Sequence, residues 1–270
     1  MNTFRQQLKS RVPASVWEPT RRTWYGLYRA LQWPLATFHP LRRSSIRRLG
    51  ELKDAHRSQR AFIIGNGPSL KQTDLSRLRG EITFGMNRIY LMFPELGFPT
   101  TYFLSVNSLV IEQCAEDIRH LPIPKFLSWR SRHLIRPTDD FNYMHNTYTG
   151  PKFARDARGR LWEGATVTYV ALQLAFHMGF ETVILIGVDH SYNTQGKPNT
   201  TVVSQGDDPN HFNTAYFGKG FRWQLPDLDT SEIGYHAARQ AYRAAGRRVL
   251  DATIGGKLTV FPKVDYDSLF

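Results

Sequence analysis

The chain has 270 residues, 41% of them hydrophobic, with a single cysteine, Cys114, and a formal net charge of +12. That is enough apolar material for one full core plus an appendage, whereas one cysteine excludes an intrachain disulfide framework and a cysteine-based zinc cluster. No apolar run approaches the ~18 residues that span a bilayer and no signal-peptide core opens the chain, so the expected location is the cytoplasm.

The charge is concentrated. Residues 1–60 hold 13 Lys and Arg against Glu18, Glu51 and Asp54, a balance of +10, while the remaining 210 residues contribute +2. This stretch, read as a basic helical arm over 1–58, also carries Trp17, Trp24, Tyr25, Tyr28, Trp33 and Phe38 among arginine pairs at 21–22, 42–43 and 47–48. Rings that sit at headgroup level and cations that meet lipid phosphates suit the inner face of the cytoplasmic membrane, as a peripheral contact with anionic lipid. The competing reading packs the arm on its own domain or on a neighbouring subunit of a homo-oligomer. Nucleic acid is not expected as a partner, because no binding module surrounds the basic residues.

From residue 59 to 270 the pattern is that of one α/β domain. Apolar strands are expected at 61–65, 82–86, 101–106, 124–128 and 182–187, and helices at 68–79, 108–120, 165–178 and about 230–245. Such alternation predicts a Rossmann-like, mostly parallel sheet with helices on both faces. Residues 190–228 are rich in Asn, Asp, Gly, Pro and Thr and read as a long polar lid. Cys114, in an amphipathic stretch, reads as an inert buried thiol.

In such sheets ligands bind beyond the carboxyl ends of the strands. Three polar turns fall at predicted strand ends: Gly65-Asn66-Gly67, Gly85-Met86-Asn87 and Gly187-Val188-Asp189-His190. The first is followed by Pro68-Ser69, so strand, glycine turn and helix start form a candidate nest for an anion, distinct from both the dinucleotide fingerprint and the Walker A loop. Asn87 can both donate and accept. In the lid, His211 is the candidate general base and His190 the second, while Lys219, between two glycines, could approach a phosphate.

Several of these pieces, in this order, resemble a family. Gly65-Asn66-Gly67-Pro68-Ser69-Leu70, Asp74 to Leu78, Met86-Asn87-Arg88, Gly164-Ala165-Thr166-Val167, His177 to Phe180 and Ile186-Gly187-Val188-Asp189 are similar to motifs of bacterial lipooligosaccharide sialyltransferases. They are similar also to flagellin-modifying glycosyltransferases and to the archaeal 6-hydroxymethylpterin diphosphokinase-like proteins. The resemblance covers about residues 60–190. It implies that Asn66 and Asn87 hold a nucleotide-activated donor, that Gly164, Ala165 and Thr166 line it, and that Tyr192 and Tyr216 stabilise the leaving phosphate without a metal. No arginine stands just before Gly164, as one does in the sialyltransferases, so sialic acid itself is not implied.

Two enzyme classes follow. One is an inverting glycosyltransferase that uses a CMP-activated, nonulosonic-acid-like donor on a cell-surface glycan or glycolipid and needs no cofactor. The other passes pyrophosphate from ATP to a pterin, with Mg²⁺ held by Asp189 and by Asp207 or Asp208. A third reading is a non-catalytic nucleotide-binding module of a surface-polysaccharide assembly. The basic aromatic arm favours the first.

Overall fold

The computed structural model describes residues 31–193 and 195–270. The chain divides into two compact units, 1–43 and 44–270. Most of the expected basic arm, residues 1–30, lies outside the described residues. Residues 31–38 are helical, and after a bend at His39 the helix α1 runs over Pro40–Glu51.

The larger unit is built on an eight-stranded sheet in which every pairing is parallel. In chain order its strands are β1 Arg60–Ile64, β2 Thr83–Met86, β3 Tyr102–Ser105, β4 Lys125–Ser128, β5 Phe141–Thr147, β6 Arg160–Trp162, β7 Thr182–Ile186 and, after the lid, β10 Arg248–Asp251. The spatial order is β10-β7-β1-β2-β3-β4-β5-β6. From β1 the chain builds outward through β2 to β6, then crosses back to place β7 on the other side of β1. That reversal opens a crevice at the carboxyl ends of β1 and β7, where such folds bind ligands. The architecture is α/β and Rossmann-like.

Between β2 and β4 the helices are short: α2 Phe93–Leu96, α3 Ser108–Gln113 and α4 Ala115–His120. The central helix, α5, spans Val167–Met178. Thr166 caps its start by accepting a hydrogen bond from the Thr168 N–H, and Gly179, at φ 96°, ends it in the left-handed region open to glycine. Every residue from Thr168 to Met178 is buried, because the sheet covers one side and the helix α6, Leu228–Ala244, another. A helix apolar all round has to sit inside a core. The Tyr242 hydroxyl donates to the Leu172 carbonyl at 2.8 Å and ties α6 onto α5.

Four expectations change. The helix expected at 68–79 is two 3-10 turns, Pro68–Gln72 and Leu75–Leu78, because Asp74 breaks the run and caps the second turn through the Ser76 N–H. The helix expected at 108–120 is interrupted at Cys114, whose thiol is buried as expected. Strands β5, β6 and β10 are additional, and β5 hides its nature behind buried Asn142 and Asn146. The lid carries a two-stranded antiparallel ribbon, β8 Thr201–Val203 with β9 Arg222–Gln224.

The turns after β1 and β7 touch backbone to backbone. Gly65 N–H donates to the Ile186 carbonyl at 2.7 Å and Gly67 N–H to the Gly187 carbonyl at 2.9 Å. A Cβ on Gly65 would sit 2.1 Å from the Gly187 oxygen. Gly65→Ala should therefore cost on the order of 1–3 kcal/mol, through overpacking against backbone that cannot rotate away. Urea unfolding of the variant measures it, and an unchanged midpoint would contradict the close approach.

Candidate active site

Three strand ends deliver their turns to one cavity of about 120 Å³: Gly65 to Gly67, Met86 with Asn87, and Gly187 to Tyr192. The start of α5, Ala165 to Thr168, closes a second side, and Asn210, His211 and Tyr216 of the lid cover it. Asp227, Leu228, Ser231 and Tyr235, at the start of α6, complete the wall.

Asn66 donates from Nδ2 to the Met86 carbonyl at 3.2 Å, while its Oδ1 is buried without a hydrogen-bond partner. A buried acceptor left open beside a cavity is a place for a ligand donor. Asn87 sits at φ 53°, a left-handed conformation that asparagine tolerates, and its Oδ1 accepts from Ser105 Oγ at 3.0 Å. The end of α5 facing the cavity carries no acidic residue in its first turn, and Gly164 and Ala165 before its cap both have positive φ. The helix thus turns its positive end toward the cavity, which suits a phosphate, although the Thr168 and Tyr169 N–H groups are already bonded to Thr166.

The first turn works differently. Asp189 accepts from Ser69 N at 3.1 Å through Oδ1 and from Ser69 Oγ at 2.7 Å through Oδ2. The N–H at the start of that short 3-10 turn is thereby occupied by a protein carboxylate. Pro68, Ser69 and Gly164 do not line the cavity, and Lys219, exposed on the lid, does not line it either. The helix end that lines the cavity is that of α5, and Ser69 serves as an anchor for the turn after β7.

In the lid, His211 Nδ1 lies 2.7 Å from Asp208 Oδ2, with both residues buried. A carboxylate can only accept, so Nδ1 carries a proton, and in the neutral ring Nε2 is the acceptor. Asp208 also accepts from the N–H groups of Asn210 and Phe217 at 2.8 and 3.1 Å. Burial pushes its carboxyl up, but the hydrogen bond and charge of His211 with those two N–H groups outweigh burial and hold it below the usual carboxylate range. The His211 ring stacks on Tyr216 at 3.9 Å. Burial raises the Tyr216 phenol, so its hydroxyl stays a proton donor. Tyr192 lies edge-on to His211 at 6.2 Å, and His190 pairs with Glu232 at 3.0 Å.

Two residues to which the sequence assigns no such role hold this arrangement. Asp208 orients His211, a relation legible only as an i, i+3 spacing inside a loop. Arg88 donates to the carbonyls of Ala215 and Tyr216, and its guanidinium lies 5.3 Å from the Phe221 ring centroid. The lid is fastened a second time where Phe212 N–H donates to the Asn66 carbonyl at 2.9 Å. Among the described residues, no group of three or more His, Cys, Asp or Glu is placed to hold a metal ion.

Residues 39–195 match the family described as 6-hydroxymethylpterin diphosphokinase MptE-like, and the match covers more than half of the chain. The protein belongs to this MptE-like family. No curated protein sequence matches it. Among solved structures, it is similar to the MAf glycosyltransferase from Magnetospirillum magneticum AMB-1, with 14% identity and a TM-score of 0.49 over 84% of this chain. The chain spans 38% of that larger protein.

One buried carboxyl of this MptE-like chain stands just before the α5 start. Glu163 has an Oε1 without a hydrogen-bond partner, and burial pushes its carboxyl from 4.5 up to about 7, against the opposing pull of Arg130 and the Tyr148 hydroxyl. A raised acid binds its proton more tightly folded than unfolded. Its stability contribution is therefore full below about pH 4.5 and is lost as pH rises through about 7. Glu163→Gln removes this dependence. Relative to wild type, the variant should gain up to about 3 kcal/mol between pH 4.5 and 8, at roughly 1.4 kcal/mol for each pH step over which the carboxyl is protonated only when folded. Urea midpoints across that range measure the difference, and parallel curves would contradict it.

Proposed function

We propose that the protein is an inverting transferase that moves a sugar from a nucleotide-activated donor, CMP-linked and nonulosonic-acid-like, to a hydroxyl of a cell-surface glycan or glycolipid. The observation that carries this reading is the buried Asp208–His211 pair at a cavity that is also lined by the positive end of α5. An oriented histidine with a free Nε2 is the apparatus for deprotonating a hydroxyl, and a helix N-terminus is the apparatus for receiving a departing phosphate.

Nε2 of His211 takes the acceptor's hydroxyl proton as the acceptor oxygen bonds to the anomeric carbon. The bond from that carbon to the phosphate oxygen breaks on the far side, and its electron pair leaves with the nucleoside monophosphate. The positive end of α5 receives the phosphate, and the hydroxyls of Tyr216 and Tyr192 donate to it. Asn66 and Asn87 hold the nucleotide at the strand ends. Asp189 keeps the two turns together, and His190 lines the donor side.

A second reading is favoured by the family description itself: pyrophosphate transfer from ATP to a pterin hydroxyl, in which Mg²⁺ neutralises the phosphates. Against it, the carboxylates lining the cavity are already engaged. Asp189 accepts from Ser69, and Asp227 accepts from Thr230 N–H and Asn199 Nδ2. The test is CMP release from a CMP-sugar, with wild type and His211→Ala each assayed with and without EDTA. Sugar transfer predicts activity that survives chelation and falls about 10²–10⁴-fold in the variant. An ATP-dependent activity abolished by EDTA, with no CMP release, would move the assignment to pyrophosphate transfer.

A further inference from the structure

Eleven large apolar side chains are exposed among the described residues, and five of them fall within residues 31–41: Leu31, Trp33, Leu35, Phe38 and Leu41. Leu31, Leu35 and Phe38 are 73%, 60% and 70% exposed. Scattered single apolar residues on a surface need no explanation, but a run of this density marks a place where something docks. Exposed Arg43 follows this run in the same compact unit. The sequence around it holds +10 of the chain's +12 charge.

We propose that the helical run at 31–41, with Arg43 after it, docks the protein on an anionic phospholipid surface. Apolar side chains enter the boundary between headgroups and acyl chains, the Trp33 ring suits the headgroup level, and Arg43 meets lipid phosphates. Charge decides between this occupant and a second copy of the chain. Two such segments face to face would bring like charges together, which opposes association, whereas an anionic bilayer attracts both. Such docking is independent of the transfer chemistry and fits any substrate held near a membrane.

The test is vesicle flotation of the full chain with phosphatidylethanolamine–phosphatidylglycerol vesicles, and with phosphatidylcholine vesicles as the neutral control. Wild type should float with the anionic vesicles far better than with the neutral ones, and high salt should weaken the binding. Leu35→Gln with Phe38→Gln should lower the partition by about tenfold or more. Arg43→Gln should remove part of the salt-sensitive binding. All three side chains are exposed, so circular dichroism melts of both variants should match wild type. Flotation unchanged in Leu35→Gln with Phe38→Gln would overturn the proposal. So would equal binding to neutral vesicles, or a dimer in light scattering that this variant dissociates without any vesicle binding.

Discussion

The site depends on the contact between two turns. The strand order reverses between β1 and β7, and the turns leaving those parallel strands are joined by Gly65 N–H on Ile186, Gly67 N–H on Gly187 and the Asp189 carboxylate on Ser69. Only glycine fits at Gly65 and Gly67, where a Cβ would lie 2.1 Å from the Gly187 oxygen and 1.8 Å from Asp189 Oδ2. Because the turns are held this close, the Asn66 side chain is directed across to the Met86 carbonyl at the end of β2. Its own carbonyl is then available to receive the lid at Phe212. Loosening this contact would move the floor of the cavity and the lid attachment together.

Charge in the site is distributed with the same economy. The cavity's positive end is the dipole of α5, and the Arg88 guanidinium is committed to the lid carbonyls. Its negative groups are each neutralised by a defined set of donors: Asp189 by Ser69, Asp208 by His211 and two backbone N–H groups, Asp227 by Thr230 and Asn199. Among the described residues, what faces a ligand is His211 Nε2, the hydroxyls of Tyr192 and Tyr216, the open Oδ1 of Asn66 and the start of α5. Those groups are matched to moving a proton and receiving a phosphate.

Much of this is legible in the sequence where the physics is local. Branched apolar runs such as Thr182–Ile186 are strands because nothing else buries them, and the capped apolar period of 167–178 marks the central helix. The three polar turns converge because parallel strands share one carboxyl edge. Long-range pairings are not legible. Ser69 and Asp189 meet across 120 positions, so in sequence Asp189 looks like a free carboxylate and Pro68-Ser69 like an open helix start. Strand β5 escapes notice because its buried asparagines look like loop residues, and Lys219, for all its flanking glycines, stays on the outer surface of the lid. Asp208 and His211 look unrelated in sequence because their pairing depends on the fold of the lid around them.

The central claim is that a nucleotide occupies the crevice between the β1 and β7 turns with its donor group on Asn66. The most direct measurement is the calorimetric affinity of CMP for wild type and for Asn66→Ala. Truncation removes the open buried acceptor at Oδ1, so binding should weaken by about 1–3 kcal/mol, roughly 5- to 150-fold. Equal affinity in the two proteins would contradict it.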